Sequence, residues 1–174
     1  MPKVSLSYRM LSLIIFFSFI FLSNCTPRLQ LVEEGRYSDP QGYFELSIPE
    51  DGWQLLSWKD IDFALWDQDE GATIVITVTP LKEDAALFTL ARHTLIAFER
   101  KEIVSQEIAQ VNGREAVKTV LDGWVEETEI KAEAYVVKGE GMFYDIIFWA
   151  PREAFPRTVE VFHQLLVGIT LLQP

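Results

Sequence analysis

Between Ile103 and Trp149 the chain reads as strand-length apolar runs separated by Asn112-Gly113, Asp122-Gly123 and Lys138-Gly139-Glu140-Gly141. Each cluster suits the tight turn of a β-hairpin, because glycine and asparagine tolerate positive φ. Strands joined by hairpins run antiparallel, whereas a parallel pair needs a crossover of a dozen residues or more. The expected strands are Ile103–Val111, Glu115–Leu121, Trp124–Val137 and Met142–Trp149. Along the third, Glu127, Glu129, Lys131 and Glu133 share one face, and Ile130, Ala132, Ala134 and Val136 the other. The fourth is apolar on both faces, apart from Asp145, as a central strand should be.

The flanking segments supply the remaining layers. Phe44, Leu46 and Ile48 alternate in a strand stopped by Pro49, and Asp51-Gly52 turns the chain toward Trp53. The runs 63–66 and 73–78 flank Asp67-Gln68-Asp69-Glu70-Gly71, a hairpin with a charged tip. Leu87, Leu90, Ala91, Thr94, Leu95 and Phe98 form one stripe of a helix over 84–101, with Asp84 as N-cap and Arg100-Lys101 at its C-terminal end. Phe155, Val159, Phe162 and Leu166 mark a last helix, with Pro156 in its first turn and Gly168 at its end, before a strand over 169–172. The reading is an α+β fold, an antiparallel sheet packed against helices as a sandwich, in one domain over 36–174.

The N-terminus reads as an address. Lys3 and Arg9 precede the uncharged run Met10–Leu22. That run falls short of the roughly 20 residues needed to span a bilayer core and fits an export signal. It ends in Leu22-Ser23-Asn24-Cys25, and Cys25 is the single cysteine of the chain. This resembles the lipobox of bacterial lipoproteins, with Asn24 in place of the usual Gly, Ala or Ser. The resemblance implies a signal peptide over 1–24, acylation of Cys25, and a tether over 25–35. An ordinary signal peptide and an uncleaved anchor are the alternatives. Thr26 after the cysteine implies the periplasmic face of the outer membrane if the host is Gram-negative. Two or more acyl chains anchor stably where one does not. Removing 1–24 takes the net charge from −11 to −13, which argues against nucleic acid and anionic membrane surfaces as direct partners.

Two stretches carry a further likeness. Gly42 to Trp53 has a strand ending in Pro49 and then a Gly-Trp turn. Tyr144 to Pro151 runs through Ala150-Pro151 toward Phe155, Phe162, Leu165 and Gly168-Ile169. With the order of elements, they resemble the PsbP/DcrB-like family over about 36–172. The resemblance implies a PsbP-like α/β/α sandwich and an accessory or interaction role rather than an enzymatic one.

A search for chemistry finds little. His93 lies off its helical stripe and reads as exposed; His163 follows the core position Phe162 and reads as a boundary residue bonded to backbone or carboxylate. Gly-x-Ser-x-Gly and phosphate-binding glycine loops are absent, and no cofactor or metal is implied. Asp60, Asp62, Asp67, Asp69 and Glu70 lack the closing Glu of a calcium loop and read as a solvated tip. Asp145 is expected either to pair with a base such as Lys131 or face water, or to be a desolvated acid lining a pocket. Trp58 and Trp66, near the charged hairpin, are the candidates for an aromatic cleft or partner surface. The expected function is a lipid-anchored envelope accessory protein with an unidentified envelope protein partner. A binder of a small apolar or aromatic ligand between sheet and helix is the alternative, and an enzyme the third.

Overall fold

The computed structural model describes residues 31–33, 35–49 and 52–172. The signal segment, Cys25 and most of the expected tether lie outside these residues. Within them the fold is α+β, with eleven strands, β1 (Leu31–Glu33), β2 (Arg36–Ser38), β3 (Phe44–Ser47), β4 (Trp53–Leu56), β5 (Phe63–Asp67), β6 (Thr73–Pro80), β7 (Glu99–Val111), β8 (Arg114–Val125), β9 (Thr128–Lys138), β10 (Met142–Pro151) and β11 (Thr170–Leu171). Two helices, α1 (Leu87–Thr94) and α2 (Phe155–Gly168), lie between them in sequence, with a 3-10 turn at Leu95–Ala97. The main sheet is antiparallel throughout, in the order β4-β5-β6-β10-β9-β8-β7. A smaller sheet, β1-β2-β3-β11, joins the two ends of the described chain. β1 falls inside the stretch read as a tether. Gly35, at φ 80°, turns the chain so that β1 pairs with β2.

The central strand was correctly placed: β10 is fourth of seven. Its alternate side chains serve two cores. Tyr144, Ile146, Phe148 and Ala150 join Phe155, Phe162 and Leu165 of α2 with Phe44 and Leu46 of the small sheet. On the opposite face, Ile147 and Trp149 pack with Leu95, Phe98 and Leu121. Leu90 and Ala91 of α1 cover Val117 and Val136 on that same side. Each fully buried Phe or Leu here contributes about 2 kcal/mol of transfer free energy.

Three local expectations fail. α1 is shorter than 84–101: it begins after Ala86, without a side-chain cap. Asp84 instead pairs with Lys138. Phe98 is already extended, and Arg100 and Lys101 belong to β7, where Arg100 lies 4.0 Å from the Trp124 ring centre. Second, Asp122-Gly123 is not a turn. It lies within β8, and the chain reverses at Glu126–Glu127, with Val125 opposite Thr128. Gly123 packs beside β7 at ordinary contact distance. A Cβ there would lie 3.4 Å from the Glu99 carbonyl and 3.6 Å from the Lys101 Cα, where β7 bulges. Third, Gly168 remains helical, and α2 ends through an extended Ile169 rather than a left-handed glycine.

Candidate functional site

The β2–β3 turn and the β4–β5 loop form a cleft of about 260 Å3, lined by Tyr37, Asp39, Pro40, Gln41, Leu56, Ser57, Trp58, Ile61 and Asp62. Asp39 is nearly inaccessible, and its Oδ2 accepts the N–H groups of Gln41 and Tyr43 at 3.0 Å each. It therefore shapes the turn, as aspartate does in Asx-turns. Asp62 Oδ2 accepts the Val78 N–H at 2.7 Å, and Tyr37 donates its hydroxyl proton to the Asp62 carbonyl at 3.1 Å. Burial pushes the Asp62 carboxyl above its ordinary range, the Val78 bond opposes it, and the Asp39 charge adds to it. Burial, with the charges of Asp39 and Asp62, raises Tyr37 to about 12. Over this floor Trp58 stands 43% exposed. An indole beside two carboxylates is suited to a cationic side chain, held by the ring face and by charge.

A second cavity, about 470 Å3, opens between α2 and the β7–β9 end of the sheet. Lys118, Tyr135 and His163 line it, with Leu166, Val167 and the hairpin turn Asn112-Gly113. Beneath lies Glu133, 4% exposed. Its Oε1 receives Tyr135 Oη at 2.8 Å, His163 Nε2 at 2.9 Å and Lys118 Nζ at 3.2 Å. An ionised carboxylate only accepts, so His163 carries the proton on Nε2. Burial first, and then the bond to Glu133, raise the Tyr135 hydroxyl. Asn112 Oδ1 accepts the Leu171 N–H at 3.0 Å and ties the hairpin to β11, which fixes one wall.

The residues singled out in the sequence are scattered. Trp58 lines the first cleft. Trp66 lies in β5, paired with Gln54 and Thr73, on the sheet face opposite Phe63 and Leu65. Asp145 is not paired with Lys131, which lies on the other face over the Phe155 ring. Thr94 of α1 donates its hydroxyl to Asp145 Oδ1 at 2.5 Å, and Thr77 adds a further bond. Burial raises Asp145 to about 6. Asp145 lines neither cavity described above. His93 is exposed and His163 is bonded to a carboxylate, as read. The charged tip is tied down rather than only solvated, since Arg157 of α2 holds Glu70 at 2.5 and 3.2 Å. Among the described residues, no group of three or more His, Cys, Asp or Glu could hold a metal ion. Nor is any described helix long and apolar enough to cross a membrane. Asp39, Tyr37 and Glu133 were missed as site residues. The one advance signal was Glu133's place on the charged face of its strand.

The chain has a PsbP-like α+β fold. Its backbone matches the cyanobacterial PsbP (CyanoP) of Synechocystis sp. PCC 6803 at a TM-score of 0.58 and 16% identity, over 79% of this chain and 91% of that one. LpqN of Mycobacterium tuberculosis, described as involved in cell envelope biogenesis, matches at 0.55 and 14% identity, over 75% and 83%. The Saccharomyces cerevisiae Ran-binding protein Mog1p matches at 0.54 and 9% identity, over 78% and 94%. At such identities the likeness is one of fold. No family model and no curated protein matches the sequence.

Proposed function

We propose that this chain is an accessory protein of the cell envelope, anchored by acyl chains on Cys25, which recognises a partner protein and performs no catalysis. The Trp58 cleft carries the reading: an exposed indole over Asp39 and Asp62 offers a pocket for a basic side chain of the partner. The position of Cys25 after its apolar run supports the anchor. LpqN, with the same fold and a described envelope role, is consistent with the location. A photo-crosslinking amino acid in place of Ser57, exposed beside Trp58 on the cleft, should trap one envelope protein reproducibly in native cells. Trp58→Ala should lose that partner in co-purification while melting within about 2 °C of the parent, because the residue is exposed. Absence of any reproducible adduct, or partner retention by Trp58→Ala, would refute the cleft. For the anchor, Cys25→Ser should release the protein from membranes and remove the acyl mass; retention without acyl mass would overturn it.

The cavity between α2 and the sheet favours a second reading, a binder of a small ligand that meets Lys118, Tyr135 and His163 along with Leu166 and Val167. Native mass spectrometry of the purified full chain should then show a bound small molecule that is lost in Tyr135→Ala.

A further inference from the structure

β7 is the one long free edge among the described strands. It has 13 residues, against four in β4 at the other end of the main sheet. Ten consecutive residues, Glu99 to Glu107 and Ile108, are exposed. Unpaired edges invite strand addition, and proteins blunt them with bulges and basic residues. The first half of β7 is blunted in that way. It bulges between Glu99 and Glu102 and again between Ile103 and Ser105, and it carries Arg100 and Lys101. The second half, Ser105 to Val111, keeps an unbroken register with β8 and contains no basic residue. Among the described residues, five of the seven exposed large hydrophobic ones, Phe88, Ile96, Ile103, Val104 and Ile108, lie on α1, the 3-10 turn that follows it, and β7.

The backbone limits what can pair there. The hairpin reverses through Asn112-Gly113, both at positive φ, with Val111 opposite Arg114. Such a two-residue turn is closed by a pair that exchanges both backbone hydrogen bonds, and such pairs alternate along an antiparallel ladder. Val111, Ala109, Glu107 and Ser105 thus bond to β8, while Gln110, Ile108 and Gln106 point their N–H and C=O groups outward. An added antiparallel strand must bond to those three. For a second copy of the same edge there are two registers through its middle. Centring the twofold axis on Glu107 sets it against its own copy, two like charges directly opposed. Centring on Ile108 puts Ile108 against Ile108, Gln106 against Gln110, Glu107 against Ala109 and Ser105 against Val111, with no like charges opposed.

We infer that two copies of this chain pair antiparallel through Ser105–Val111 about Ile108, making one continuous sheet across a twofold axis. This interface is separate from the Trp58 cleft and stands or falls independently of it. The full chain in detergent should carry the mass of a dimer by light scattering, and Ile108→Lys should reduce it to a monomer that keeps the circular dichroism spectrum of the parent and melts without the parent's concentration dependence. Should Ile108→Lys misfold, Ile108→Pro serves, because the Ile108 N–H faces away from β8. In the paired register the two Ile108 Cα atoms lie about 5.5 Å apart, within disulfide reach. Ile108→Cys should therefore give a reducible dimer band under mild oxidation, at least tenfold stronger than the parent, with its Cys25, or Glu115→Cys on β8. A monomeric parent at tens of micromolar, an equal band from Glu115→Cys, or a disulfide adduct containing another protein would overturn the inference.

Discussion

His163 on α2 meets Glu133 on β9 at 2.9 Å, across 30 residues of chain. The contact joins the last helix to the sheet through a carboxylate taken almost wholly out of water. Lys118 from β8 and Tyr135 from β9 converge on the same oxygen. Three donors on one acceptor make the arrangement a structural joint and the floor of a cavity at once.

Removing that acceptor leaves three donors facing one another. Glu133→Ala should cost about 3 kcal/mol, the loss expected when one member of a buried ion pair is deleted. For a domain of this size that is a fall of about 10 °C in melting temperature. Glu133→Gln keeps an acceptor oxygen and should lose less than half as much. Thermal denaturation of the two variants decides it; melting of both with the parent would mean that the joint carries no stability.

Asp145 gives a pH dependence with a definite sign. Its folded value, about 6, lies above the ordinary 3.8, with burial as the main cause. The folded state therefore binds this proton more tightly than the unfolded state, and ionisation is a penalty. The penalty is complete above about pH 6, shrinks as the pH falls toward 3.8, and is absent below it. Its ceiling is about 3 kcal/mol. Asp145→Asn should melt above the parent at pH 7.5, and the difference should close near pH 4. Parallel melting curves across that range would show that the carboxylate is not desolvated.

Local rules worked where one residue type had one available use. Asn112-Gly113 needed two positive φ angles and was a turn. Asp122-Gly123 looked equivalent, yet both residues are paired inside β8, because the long-range register with β9 carries the strand on to Val125. The alternation of β9 was legible, with Lys131 and Glu133 opposite Ala132 and Ala134. The burial of Glu133 was not, because the helix residue that covers it is set by tertiary packing. Trp58 was legible as an aromatic with a surface to offer. Its companions Tyr37 and Asp39 come from the small sheet, and no spacing rule links 37–39 to 58–62. Asp145 was correctly read as an oddity, but its partner Thr94 belonged to a stripe read only as apolar packing.

The core beneath the His163 cavity should be as demanding as its geometry suggests. Phe162 is fully buried, stacks on Phe148 at 5.2 Å and lies 6.0 Å from the Tyr135 ring. Phe162→Ala should cost about 3–5 kcal/mol and loosen the neighbouring His163 contact. Phe162→Leu, which keeps most of the volume, should cost less than half of that. Urea unfolding midpoints, read with unchanged slopes, measure both. A small loss in Phe162→Ala would mean that α2 settles into the gap.

Glu126 is where the backbone and the sequence disagree most plainly. It opens the β8–β9 turn at φ 54°, a region in which a Cβ crowds the carbonyl and glycine is at ease. The two strands it joins are fixed over ten paired positions, from Ala116–Val137 to Val125–Thr128, so the turn has to accept the angle imposed on it. Glu126→Gly relieves the strain but adds freedom to the unfolded chain, and these oppose each other. The strain at a left-handed residue, about 1–2 kcal/mol, exceeds the glycine entropy of about 0.5–1 kcal/mol. The substitution should therefore raise the melting temperature by about 2 °C in thermal denaturation. A fall in melting temperature would mean that the turn holds Glu126 without strain.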